Sequence, residues 1–363
     1  MTTPTTHDNH FVPQWYLRQW ADREGRLWRY RVLAPSASLP EWEECAVRGV
    51  AFERDLYTVA ADGRDADDFE RWIKREYEDP GHAALLKAVG RKNLGPEDWR
   101  HLALFAVCQD LRTPQHYMEF MDFMKREGPS LLESIAKGVE GLLTNPSETR
   151  ASQPRSEGPF DDALRISLRR DSQAEEGNVQ LGLHLLTGRD MWIREQMHLL
   201  DTVSEVAISH SWCIAEAAKG FEWFTSDHPL VRLQYYGDGD FDVSGGWGKS
   251  GTNILMPLSR RYLLLCQVGS EGPTRMRLTK ENTLIIRRAI ARRAHRSVFA
   301  LRPVQDMAAM RPRTVDLEAY KSERNQWAVW HQQQSEAEQT HCSLPRSLQE
   351  AMAEDNFSDE AHE

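Results

Sequence analysis

The order of the periodic segments is what most constrains this chain. Phe11 to Ala21 reads as a short helix with Pro13 in its first turn. Leu27-Trp28-Arg29-Tyr30-Arg31-Val32 alternates apolar and charged residues, as a half-buried strand does. A second short strand is expected around Asp55 to Val59. Helical stretches follow: one from Asp67 with Phe69, Ile73 and Tyr77 at one-turn spacing, one opened by Pro96, and one over Gln115 to Leu143. Pro80-Gly81 is expected to break or kink the first of them. The second half brings a helix over Asp190 to Ser209, then strand-like runs at Ser211–Ala218, Glu222–Phe224, Leu230–Tyr235 and Tyr262–Val268. A helix over Glu281 to His295 and a strand over Ser297–Leu301 complete the pattern.

Such an order lacks the regular strand–helix alternation of a doubly wound parallel sheet. No internal repeat of about 20 to 50 residues replaces it. The expectation is an α+β fold, a mainly helical single body with a small mixed or antiparallel sheet. Residues 1–9 are expected to be a flexible leader and 10–332 one domain. A polar loop at about 144–160 interrupts it, and 333–363 are read as an acidic, disordered tail. From Ser335 to Glu363 there are eight acids and one base, which is −7 of the formal −10. The body is thus near neutral at −3, and its local patches decide whether a polyanion is welcome.

The five cysteines are odd in number and widely spaced, so neither a disulfide framework nor a CxxC zinc site is expected. Reduced thiols in a cytoplasm fit better. The first residues do not form a signal peptide and no apolar run is long enough to span a membrane. Gly248-Lys249-Ser250 lacks the upstream glycine of a phosphate-binding loop, since Val243 stands there. Asp238, Asp240 and Asp242 open like a calcium loop, but Val243 and Lys249 occupy positions that need Gly and Glu. The histidines show no paired ligand spacing. No metal and no cofactor is expected.

Polar residues at the ends of apolar segments carry more information. His10 precedes an apolar helix, with Gln14 one turn later on the same face. Gln109 and Arg112 close the very apolar LALFAVCQDLR, where amides and guanidinium groups must find partners or face a ligand. Ser226-Asp227-His228-Pro229 follows the strand-like Trp223-Phe224-Thr225. Helix cap, buried hydrogen bond and turn explain each of these residues singly. Arg288, Arg292 and Arg296 form one stripe of the penultimate helix, which either meets phosphate oxygens or is a solvated basic face. Arg112 and His116 depart from the HEPN ribonuclease pattern, because only three residues intervene and Pro114 is one of them.

The opening His10-Phe11-Val12-Pro13-Gln14-Trp15-Tyr16-Leu17-Arg18 resembles the start of a bacterial family of uncharacterised proteins, domain-of-unknown-function family 4238. Further marks follow in the family's order: Leu27-Trp28-Arg29-Tyr30, Phe69-Glu70 with a later acid at Glu76 or Glu78, and Gln109-Asp110-Leu111-Arg112-Thr113-Pro114. Phe224-Thr225-Ser226-Asp227-His228-Pro229, Met256-Pro257-Leu258-Ser259 and Asn282 complete the set. The resemblance spans about residues 8 to 302. It implies that His10, Gln14, Gln109, Arg112, Ser226 and Asp227 gather into one site.

In that site His10 would be the general acid/base and Asp227 its orienting carboxylate. Arg112 would clamp a phosphate or carboxylate, with Gln14 and Gln109 fixing the substrate and Glu78 as a second carboxylate. Ser226, Asn282, Arg288 and Arg292 would line the substrate. The set suits metal-independent hydrolysis of a nucleic acid or nucleotide, by a ribonuclease-like toxin or phage-defence effector. The alternative is a non-enzymatic binding or regulatory module, in which Arg112 pairs structurally with Asp227. A protein partner would then meet the acidic tail or the Trp-rich first hundred residues, which hold Trp15, Trp20, Trp28, Trp42, Trp72 and Trp99.

Overall fold

The computed structural model describes residues 8–54, 56–57, 59–61, 64–66, 68–144, 164–170, 179–185 and 189–342. Near the amino terminus lie strands β1 (Asp8–His10), β2 (Arg26–Arg31), β3 (Trp42–Ala46) and β4 (Phe52–Arg54). Between β1 and β2 the chain forms a helical turn at Gln14–Leu17, with Pro13 at its N-cap. The helical layer follows, with α1 (Asp79–Val89), α2 (Pro96–Leu111), α3 (Pro114–Thr144) and α4 (Arg189–Ile208). The expected break at Pro80-Gly81 does not occur. A helix over Asp68–Ile73 passes through a π turn at Lys74–Glu78 straight into α1, whose first turn tolerates Pro80. Gly81 is needed there, because a Cβ would stand 2.6 Å from that of Phe105 on α2.

The sheet is not small, and here the sequence expectation is corrected. Strands β5 (Trp212–Glu216), β6 (Thr225–Ser226), β7 (Val231–Gly237), β8 (Asp240–Asp242), β9 (Asn253–Pro257), β10 (Tyr262–Gln267) and β11 (Arg275–Arg277) follow α4. Six of them pair in the order β8-β7-β9-β10-β5-β11, antiparallel throughout except at β5–β11. Helix α5 (Lys280–Arg293) and strand β12 (Ser297–Ala300) come next, and β6-β12-β2-β3 make a second, four-stranded antiparallel sheet. Two-stranded pairings add to these, including a hairpin of 164–170 with 179–185. The body is an α+β assembly with a six-stranded sheet and several smaller ones.

Period two explains how the large sheet is covered. Ile254, Met256, Leu264 and Ile214 join one core with α2 and α4, while Leu255, Leu263, Ala215 and Leu233 join another beneath α5. Both faces therefore carry a buried core. Runs such as Leu263-Leu264-Leu265-Cys266 are continuously apolar for that reason, and the strand-like run expected over Tyr262–Val268 is β10. The last helix, α6 (Leu317–Cys342), runs ten residues past 332. The polar loop expected at about 144–160 and the tail beyond 342 lie outside the described residues.

Candidate functional site

Asp110 stands at the junction of α2, the large sheet and α5. It is 3% exposed. Its Oδ2 accepts a hydrogen bond from the Trp247 indole at 2.9 Å and lies 3.5 Å from Arg232 Nε. Its Oδ1 lies 3.8 Å from the Arg293 guanidinium and 3.3 Å from His228 Nε2. Burial alone would raise the Asp110 pKa, but the charge of Arg232, with that of Arg293, holds it well below the usual carboxylate range.

His228 has a settled tautomer. Arg293 Nη2, 2.8 Å from Nε2, has only protons to offer, so Nε2 accepts and Nδ1 donates to Thr113 Oγ1 at 3.2 Å. Burial and the Arg293 charge push its pKa down to about 4, and the ring is neutral. His116, in the first turn of α3, is also held neutral by burial; Asp110 opposes the shift and Arg232 adds to it. Its buried Nε2 has no hydrogen-bond partner among the described residues. Toward solvent the centre passes to the half-buried Arg232, with its side chain 28% exposed, and to Arg293.

Arg112 lies two residues beyond Asp110 and serves a different region. One end of its guanidinium donates to the Glu78 carboxylate and the other to the His10 carbonyl, while the Tyr57 hydroxyl donates to its own carbonyl oxygen. This locks β1 and the π turn onto α2. The His10 ring packs on Phe52, and its Nε2 has no partner among the described residues. Gln109 is fully buried; its amide makes no ordinary hydrogen bond and has the Cys108 thiol beside it. Gln14 is half-buried in its helical turn.

Asp227 is neither beside His10 nor paired with Arg112. Its carboxylate takes three backbone N–H groups, from His295 at 2.9 Å, Arg296 at 2.6 Å and Ser297 at 2.9 Å. Burial raises its pKa, and His295 with these N–H groups works the other way. The Ser226 hydroxyl donates to the His228 carbonyl at 2.7 Å and closes the turn.

The arginine stripe divides as well. Arg296 is neutralised by Glu53 and Glu323, whereas Arg288 and Arg292 are exposed, with no carboxylate partner among the described residues. Asn282 is exposed in the first turn of α5, its backbone N–H taken by the Thr279 hydroxyl. The structure therefore separates the expected residues into three places. His10 and Arg112 stand at β1, Ser226 and Asp227 at the end of β6, and Asn282, Arg288 and Arg292 along α5.

The marks themselves do meet. The Tyr16 hydroxyl donates to the Pro257 carbonyl at 2.6 Å and lies 3.0 Å from Thr225 Oγ1, joining the opening segment to two later ones. Trp20 donates to the Trp223 carbonyl at 2.9 Å. A family described as protein of unknown function (DUF4238) matches residues 8–303. The chain belongs to that family. No curated protein and no solved structure matches it.

In this DUF4238 member the residues missed from sequence are Asp110, Thr113, His228, Arg232, Trp247 and Arg293. Four of them adjoin residues of the expected site: Asp110 beside Gln109, Thr113 beside Arg112, His228 beside Asp227, Arg293 beside Arg292. Helical geometry was the available signal, since residues two apart on α2 point to nearly opposite sides. The early tryptophans mostly serve the core: Trp20 is fully buried, and Trp15, Trp72 and Trp99 pack against the same cluster. Among the described residues no three His, Cys, Asp or Glu side chains are grouped to hold a metal ion, and no helix is long and apolar enough to cross a membrane.

Proposed function

We propose that the chain is a metal-independent hydrolase of phosphodiester bonds in a nucleic acid or nucleotide, working in the cytoplasm from the Asp110 centre. One observation carries this reading. Two neutral imidazoles, His116 and His228, sit with two guanidiniums, Arg232 and Arg293, around one ionised carboxylate. Arg232 and Arg293 would grip the non-bridging oxygens of a phosphate. His116, neutral and with a free Nε2, would take the proton of the attacking hydroxyl or water. Asp110 and His228 would hold the two arginines in place and leave their outer protons to the substrate. In a cell such an activity makes a toxin or a phage-defence effector.

The test treats total RNA, plasmid DNA and free nucleotides with purified protein in the presence of a chelator. Wild type is compared with His116→Ala and Arg232→Ala, and each is melted in parallel. Cleavage that falls about 10²–10⁴-fold in His116→Ala at an unchanged Tm supports the reading. Intact substrates with wild type, or equal cleavage by both variants, overturn it.

A specific observation favours a second reading, a binding or regulatory module. The Asp110 carboxylate already faces Trp247, Arg232, Arg293 and His228 within the fold, as a purely structural hub would. On that reading Asp110→Asn lowers Tm and no form of the protein cleaves anything.

A further inference from the structure

A cavity of about 360 Å³ lies between the large sheet and the first turns of α5, at the low end of the range for small-molecule sites. Leu233, Leu255 and Leu265 floor it from the sheet, and Ile285 and Ile286 roof it from the helix. Sheet register decides what stands at its polar edge. Asn253 is directly opposite Gln267 across the β9–β10 ladder and Leu233 across β7–β9, so two carboxamides extend the leucine floor on one face. The Asn282 side chain, on the opposite wall, supplies a third carboxamide.

These amides have capacity to spare. Asn253 donates once, to the Gly251 carbonyl at 3.4 Å, and the side chains of Gln267 and Asn282 have no hydrogen bond among the described residues. A carboxamide offers both donors and an acceptor, the combination that reads the edge of a nucleobase. The space between a sheet face and a helix is a slot, suited to a flat ring between apolar walls. Glu271 is the one charged residue of the lining, and it is an acid. The lining therefore favours an uncharged or cationic ligand and disfavours a phosphate.

We propose that this cavity binds a neutral nucleobase or nucleoside, with Asn253, Gln267 and Asn282 on the polar edge of the ring. The site stands apart from the phosphodiester reading, since no residue of the Asp110 centre lines it. The two fail independently.

Titration calorimetry of the full chain with adenosine, guanosine, cytidine and uridine, each also as its 5′-monophosphate, tests it. At least one nucleoside is expected to bind, and its monophosphate more weakly because of Glu271. Gln267→Leu is expected to weaken binding about tenfold or more at an unchanged Tm, since an unmatched polar edge discriminates strongly. Ile285→Trp should abolish binding by filling the slot. His116→Ala should leave it untouched. No binding of any nucleoside up to about 1 mM overturns the proposal. So does binding that survives both cavity substitutions, or that is lost in His116→Ala, which would place the ligand at the other centre.

Discussion

Asp110 and Arg112 are separated by one residue, yet their side chains serve opposite sides of α2. Asp110 reaches Trp247 and the arginines of the large sheet and α5, while Arg112 reaches Glu78 and the carbonyl of His10. The helix end is a clamp of two opposite charges pulling on two different parts of the fold.

The Arg112–Glu78 pair should behave as a buried ion pair, since the two side chains are 2% and 15% exposed. Glu78→Gln or Arg112→Met leaves one buried partner uncompensated and should cost about 3–5 kcal/mol in urea denaturation. The double Met replacement should recover much of that loss. A single substitution that leaves the urea midpoint unchanged would show that the pair holds nothing together.

Asp227→Asn should lower Tm, because it turns an amide donor toward backbone N–H groups that now share a carboxylate. The expected cost is about 1.5–3 kcal/mol, in keeping with hydrogen bonds to a charged group. A differential scan compares it with wild type. A variant that melts like wild type but has lost activity would return Asp227 to the chemistry.

Stability should fall on acidification through the histidine range. His228 is held down to about 4 in the fold, against an unfolded value near 6.5. Below about pH 6.5 the unfolded chain takes up a proton that the folded one refuses. This contribution is present above that pH and is lost as the pH drops toward 4, by up to about 3 kcal/mol. Carboxylates such as Glu323, held down to about 2 by His295 and Arg296 against burial, add a further loss below about pH 4.5. Urea midpoints of wild type and His228→Asn between about pH 7 and 5 check this, the variant giving the flatter curve.

The sequence already marked where the polar centre would be built, though not which residue of each mark would face it. Gln109, Asp227 and Arg292 each adjoin a residue that reaches the centre, and a one-residue step turns a side chain by about 100° on a helix. Helices were legible because their ends carry local chemistry, as at Pro96 and Thr279. Strands β3, β9 and β11 were not: β3 and β9 went unread although each pairs with a strand close by in the chain, β2 and β10, whereas β11 pairs with the distant β5, Ile214 opposite Arg275. Asp227 looked catalytic for a similar reason: its three N–H partners lie 68 to 70 residues away.

The four-stranded sheet has a consequence for synthesis. β2 hydrogen-bonds to β12, with Tyr30 opposite Val298, so the opening segment cannot complete its pairing until residues near 300 have left the ribosome. Through most of translation one edge of β2 stays open and sticky, and its closure is a late, slow event of high sequence separation. A nascent chain stalled before Ser297 would expose that edge to other chains, and chaperone capture should be concentrated in this interval of elongation.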